Sequence, residues 1–320
     1  MSLVQQTVSI LLNGLQLGAI FALLGIGLTI ILGTMNFLNL AHGALYLIGA
    51  YVGLLTIAEL SLPQSAIMNG VFGFESLGLG AGFLAALVVV PLVGFVVGVL
   101  MERFVAKPFY KRPHTDQLLV TFGLALIVEE LFKQTLSGRT YQPEAPDTLF
   151  GLTMSGPISL PIVGNFPRWR LIIIAIAFLV ITATFLFIEY TDWGLIVKAG
   201  TQDSEMVSLL GIRIDRSYGL VFGIGAALAA FAGLIGATFQ TVSPQIGTNQ
   251  ALIPAFLVLV VGGAGSIRGA IVGGVILGTV LAGFQQSNFS QWGQIMMYLL
   301  VALVLVFRPQ GVFGSVEVEE

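Results

Sequence analysis

The sequence predicts an all-α membrane protein, a polytopic helix bundle of about eight to ten transmembrane segments with interrupted helices, forming a single transmembrane domain over residues 1–320. Three observations predict it. Apolar residues make up 56% of the chain and charged residues only 9%, against about 25% charged in an average soluble domain, which excludes a water-soluble globule. Forty glycines suit helices that pack closely in lipid, where small side chains let backbones approach. Uncharged stretches long enough to cross a hydrocarbon core of about 30 Å recur along the chain. There is no cysteine, and the two histidines lie far apart. Disulfides, thiolate catalysis and cysteine-bound metals are therefore excluded, and no metal centre is expected. No nucleic-acid partner is expected either.

Residues 1–58 contain no Asp, Glu, Lys or Arg and are too long for one span, so they fold back. The amino terminus lacks the basic region of a cleavable signal, so the first apolar run reads as a retained span. The break falls in GTMNFLNLAHG, Gly33 to Gly43, giving spans near 8–32 and 40–58. A third span runs from Gly80 to Met101. It leads into a loop with Arg103, Lys107, Lys111 and Arg112, which the excess of basic residues places on the cytoplasmic side. The fourth span is Gln117 to Leu136. Residues 137–169, rich in Pro, Gly and Thr, read as an external loop with short strands.

The fifth span, Arg170 to Tyr190, returns to a polar segment at about 191–217, TDWGLIVKAGTQDSEMVSLLGIRIDRS, expected in the cytoplasm. The sixth runs from Tyr218 to Phe239, followed by an external turn with Ser243, Pro244 and Gly247. Residues 251–284 are too long for one span and short for two. Gly262, Gly263, Gly265 and Ser266 break them, so two short or interrupted helices are expected to meet near Arg268. A last span from Trp292 to Phe307 precedes a cytoplasmic tail. An odd number of segments places the amino terminus outside and the carboxyl terminus inside.

Within the polar segment, Thr201 can cap a short helix with Asp203 and Glu205 in its first turn, ended by Gly211. Met206, Leu209 and Leu210 then share one apolar face outside the bilayer. That face either packs on the chain's own helices or docks onto a separate energy-supplying subunit. No GxxxxGK[ST] loop exists, so any ATP that drives this chain is bound by another.

Glu129 and Glu130 read either as a proton relay of an ion-coupled carrier or as surface acids, Glu129 pairing with Lys133 one helical turn on. His42 is a packing residue or a gate. Asn36 and Asn39 either cap the break or line a cavity for a zwitterionic solute. Arg268 is expected to snorkel to the inner surface. The glycine breaks at 33–43 and 262–269 sit at comparable places in the two halves, a pattern that points to a transport path. Asn36, Asn39, His42, Gly263 and Ser266 are the candidate lining. Small-residue pairs four apart, such as Gly14/Gly18, Gly94/Gly98 and Gly274/Gly278, are candidate helix contacts, though with glycine this frequent chance accounts for a share of them. No nucleophile and base occur at recognisable spacing, so no enzymatic activity or catalytic residue is expected.

The runs GLTIILGTMNFLNLAHGALYLIGAYVG, KAGTQDSEMVSLLGIRIDRSYGLVFGIGAALAAFAG, VLVVGGAGSIRGAIVGG and LVFRPQGVFG together resemble the LivH-type branched-chain amino acid permeases of bacterial ABC importers, in matching order to Gly314. The resemblance implies a multi-pass inner-membrane subunit in contact with membrane lipid. It also implies a second related permease, two cytoplasmic ATP-binding subunits and an extracytoplasmic solute-binding protein. The chain itself would need no cofactor. The solute would be a branched-chain or other neutral, hydrophobic amino acid; such permeases also carry urea, short amides and aromatic acids. The polar segment corresponds to the loop that contacts the ATPase, with Ala199, Gly200, Asp203, Glu205 and Gly211 matching its pattern.

Overall fold

The computed structural model describes residues 2–142, 146, 148–149, 152–154, 156–161, 163–202, 204–209 and 214–313. In chain order these form α1 (Leu3–Met35), α2 (His42–Ile57), a hairpin of β1 (Leu60–Ser61) and β2 (Ser76–Leu77) around α3 (Ile67–Gly70), α4 (Gly82–Met101) and α5 (His114–Leu136). Two further hairpins follow, β3 (Thr148–Leu149) with β4 (Leu152–Thr153) and β5 (Pro157–Leu160) with β6 (Gly164–Pro167), in the segment expected to carry short strands. The remainder is helical: α6 (Arg168–Tyr190), α7 (Asp192–Gln202), α8 (Ser204–Leu209), α9 (Ile214–Ala237), α10 (Ile253–Gly262), α11 (Ile267–Gln285) and α12 (Gly293–Phe307).

Among the described residues, six helices are long and apolar enough to cross a membrane, and two shorter apolar ones, His42–Ile57 and Gly247–Gly262, lie among them. With α5 they account for the predicted segments, and the chain is a multi-pass, all-α membrane bundle. α1 and α9 are its buried centre; α4, α6 and α12 lie at the periphery. The loop with Arg103, Lys107, Lys111 and Arg112 marks one end of the bundle, the basic end; the strand-bearing segment marks the other, the loop end.

The short helices carry the architecture. α2 has 16 residues, about 24 Å, less than the roughly 30 Å hydrocarbon core. It begins inside the bundle, where the His42 ring lies 3.0 Å from the Leu24 carbonyl oxygen of α1. The chain therefore leaves α1 at the basic end and runs back inward, non-helical, through buried Phe37, Asn39 and Ala41. Irregular backbone at this depth is tolerated only where its polar groups are satisfied by protein. Here α5 satisfies them: Leu38 N–H donates to Gln117 Oε1 at 3.2 Å and Leu40 N–H to Thr121 Oγ1 at 3.0 Å, while Ala41 N–H donates to Asn39 Oδ1 at 3.0 Å.

The same arrangement recurs upside down. After α9 the expected external turn at 243–247 instead dips into the bundle, with Val242, Ile246 and Gly247 buried. It starts a half-helix of six π-helical residues, Gly247–Leu252, continued by α10. The starts of the two half-helices meet: a Cβ on Gly43 would lie 2.5 Å from the Gly247 carbonyl oxygen. α1 and α9 cross just as closely, since a Cβ on Gly27 would lie 2.6 Å from the Gly225 oxygen and one on Gly225 2.8 Å from the Gly27 oxygen. These two reciprocal contacts lie on a pseudo-two-fold axis in the membrane plane. α11 packs on α1 through Gly14, Gly18, Gly274 and Gly278 as α4 packs on α9 through Gly94, Gly98 and Gly223. The pairs Gly14/Gly18, Gly94/Gly98 and Gly274/Gly278 expected from sequence are thus helix contacts.

The counterpart of the 36–41 break is therefore 242–247, not 262–269. The latter is a tight turn at the basic end, with Gly263 at φ 92° and Gly265 at φ 78°, conformations open to glycine. Of the two short or interrupted helices expected to meet near Arg268, α10 is short, 10 residues running on from the π-helical turn, whereas α11 runs 19 residues.

Candidate functional site

At the basic end the polar segment forms two helices. Its first helix is capped ten residues earlier than expected: Thr191 Oγ1 accepts the Gly194 N–H at 3.2 Å, and Asp192 occupies the first turn of α7. Thr201 sits in the last turn of that helix, so it does not open a new one; TDWG offers the same hydroxyl-then-acid signal that TQDSE does, and comes first. α7 packs on α1 and α9, which ties the segment directly to the central pair. Ala199 is exposed and Gly200 lies on α7; Glu205 lies on α8. Asp203, Leu210 and Gly211 lie outside the described residues. On α8, Val207 is 5% exposed, whereas Met206 is 54% and Leu209 77% exposed. Among its described side chains, this six-residue helix thus buries Val207 and exposes Met206 and Leu209.

The residues proposed to line a path mostly end helices. Asn36 is the exposed C-cap of α1 at φ 48°. Asn39 and His42 are fully buried. Gly263 ends α10, whose last carbonyls are covered by the tail: Val312 N–H donates to Val261 O at 2.8 Å and Phe313 N–H to Gly262 O at 3.2 Å. That contact gives RPQGVFG a structural role. Ser266 caps α11, accepting the Gly269 N–H at 3.0 Å. It also lines a cavity of about 450 Å³ at the basic end, with Thr29, Thr34, Glu189 and Arg268. Arg268 is exposed there, 5.7 Å above the Phe185 ring, as snorkelling requires.

The adjacent acids Glu129 and Glu130 of α5 are both engaged. Glu130, not Glu129, pairs with Lys133 at 3.1 Å; Glu129 Oε2 accepts the Thr248 hydroxyl at 3.0 Å. The fourth-residue spacing loses because Thr248, brought close by the re-entrant half-helix, was invisible from α5 alone.

Two features went unread in the sequence. Between α9, α4 and the start of α5, at the basic end, Phe37 sits edge-on to Tyr110 at 5.9 Å and against Phe222 at 6.2 Å, and Tyr110 stacks edge-on with Tyr218 at 5.5 Å. The Tyr110 hydroxyl donates to buried Glu102 at 2.6 Å, fixing this plug. The place related to it by the pseudo-two-fold, among α1, α10, α11 and α12 at the loop end, is open: a cavity of about 380 Å³ reaches Leu17 and Phe21 near the middle of α1. The clustering of glutamine and asparagine between 240 and 294 was the available signal for it.

Residues 10–305 match the family model described as branched-chain amino acid transport system / permease component. The LivH high-affinity branched-chain amino acid transport system permease protein of Salmonella typhimurium is 33% identical over 309 residues, covering 96% of each chain. The BraD permease protein of Pseudomonas aeruginosa is 33% identical over 313 residues, covering 97% of this chain and 96% of its own. The LivM permease protein of Salmonella typhimurium is 27% identical over 91% of this chain and 67% of its own. No solved structure matches. A discontinuous-helix bundle, matched end to end by these permeases, belongs to the branched-chain amino acid transport system permease component family.

Proposed function

We propose that this chain is one membrane subunit of an ATP-driven importer that carries branched-chain amino acids across the bacterial inner membrane. The observation that carries the reading is the outward apolar pair Met206 and Leu209 on α8, joined through α7 to the two central helices, in a chain similar over nearly its whole length to permeases so named. The basic end faces the cytoplasm under the positive-inside rule, so the amino terminus is outside and the carboxyl terminus inside. A second, related permease completes the path, as the likeness to both LivH and LivM supports. Two ATP-binding subunits dock at 192–211, and a solute-binding protein delivers cargo to the loop end.

ATP-driven closure of the docked subunits moves α7 and α8. Because α7 packs on α1 and α9, the motion reaches the axis about which the two inverted halves rock. Glycine-to-glycine crossings allow that rocking without side-chain barriers. The chain performs no chemistry on the solute. Changing Asp203 and Glu205 together to alanine tests the docking assignment: in the reconstituted importer ATP hydrolysis is expected to lose its coupling to leucine uptake, or the ATPase to fall away. Normal coupled uptake would overturn the assignment.

A further inference from the structure

The cavity at the loop end has a chemistry that points to a ligand. Its polar wall consists of the amides of Gln240, Asn249, Gln250, Gln285 and Gln294 with the Thr241 and Tyr298 hydroxyls; its floor is apolar, from Leu17, Phe21, Pro254, Leu281 and Met297. No Asp, Glu, Lys, Arg or His lines it. Gln240 Oε1 accepts the Tyr46 hydroxyl at 3.3 Å. Among the described residues, the side chains of Asn249, Gln250, Gln285 and Gln294 take no hydrogen-bond partner within the chain. All four of these amides are exposed, so their donors and acceptors are open to water or to a solute that enters the cavity. Asn249 and Gln250 come from the π-helical turn Gly247–Leu252, and such turns inside helices concentrate at functional sites.

We infer that this cavity is the outer acceptance site for the solute, and that it takes a zwitterionic amino acid with an aliphatic side chain. An amide offers N–H donors to a carboxylate and a carbonyl to an ammonium, so a set of amides accommodates both charges without a counter-charge of its own. Leu17, Phe21, Leu281 and Met297 receive the aliphatic end. Amino acids with a charged side chain are disfavoured, because nothing there pairs with a third charge. The inference rests on the import reading and adds the place and the selectivity. The cluster of Phe37, Tyr110 and Glu102 at the basic end is the counterpart of this cavity by the pseudo-two-fold, filled where the cavity is open.

The chain has no cysteine, so Asn249→Cys, Gln250→Cys and Gln294→Cys each introduce its single thiol. The test uses the whole importer in vesicles, with the binding-protein side outward and a membrane-impermeant, charged methanethiosulfonate as probe. Labelling of this chain is expected at all three positions, slowed several-fold by leucine during turnover and not by lysine or glutamate. Gln250→Leu is expected to weaken the leucine effect at the Gln294→Cys position about tenfold, the loss of one hydrogen bond to a charged group. Three separate positions keep the test intact if one variant does not assemble. Absence of labelling, labelling indifferent to leucine, or equal protection by lysine would overturn the inference. Failure of the import reading would show instead as no ATP-dependent leucine uptake by the unmodified complex.

Discussion

Single residues hold the non-helical backbone of this bundle in place. Gln117 is the clearest case: its Oε1 accepts the Leu38 N–H, and its Nε2 donates to the carbonyls of Phe109 and Arg112 at 3.2 and 3.3 Å. One amide therefore ties the re-entrant segment, the basic loop and α5 together. Gln117→Ala strips a buried N–H of its acceptor and is expected to cost about 1–3 kcal/mol, read as a lowered thermal midpoint in detergent; an unchanged midpoint would show that the segment holds itself. Gly225 is the steric counterpart. Gly225→Val drives a side chain into the Gly27 carbonyl and Ile31, and a loss of about 1–3 kcal/mol is expected from such overpacking. Retention of full stability would mean that the central helices can move apart at no cost. From sequence, Asn39 and His42 were visible as interruptions, but Gln117 was not, because its partner lies far off in the chain and nothing local marks it.

Among the elements, the long spans were legible because apolar length is decided locally. The half-helices were partly legible. Gly33–Gly43 was placed correctly as a break, since two asparagines and a histidine interrupt the leucines there. Its inverted counterpart at 242–247 was read as an external turn, because Ser243 and Pro244 look the same in a loop and in a segment that dips inward. Thr201 was read as a cap for want of knowing that Thr191 had already started a helix. The element that matters most for coupling is α8. Met206→Asp with Leu209→Asp places two charges on its outward face without touching buried Val207. Such a variant is expected to reach the membrane at normal level yet fail to retain the ATPase subunits on affinity purification. Retention at the unmodified level would assign those side chains to lipid or to the chain itself.

For the whole molecule, two inverted halves meet at a central pair of helices, with an aromatic cluster filling the basic end where the related place at the loop end is open. The family and the multi-pass class were legible in four quoted stretches. The symmetry was not, because glycine and alanine dominate both halves and leave few distinctive residues to align. It became evident only where Gly27 meets Gly225 and Gly43 meets Gly247. Such a device moves solute uphill only when something pushes it. Among the described residues Glu129, Glu130 and Glu102 are each held by a partner, an arrangement that favours the proposed driving force, ATP on docked subunits, over a proton relay. The measurement that tests this most directly is leucine accumulation in proton- and sodium-energised vesicles containing this chain with its permease partner, with and without the ATPase subunits, ATP and loaded binding protein. Accumulation above the external concentration is expected only in the complete system; accumulation driven by an ion gradient in the permeases alone would contradict the account.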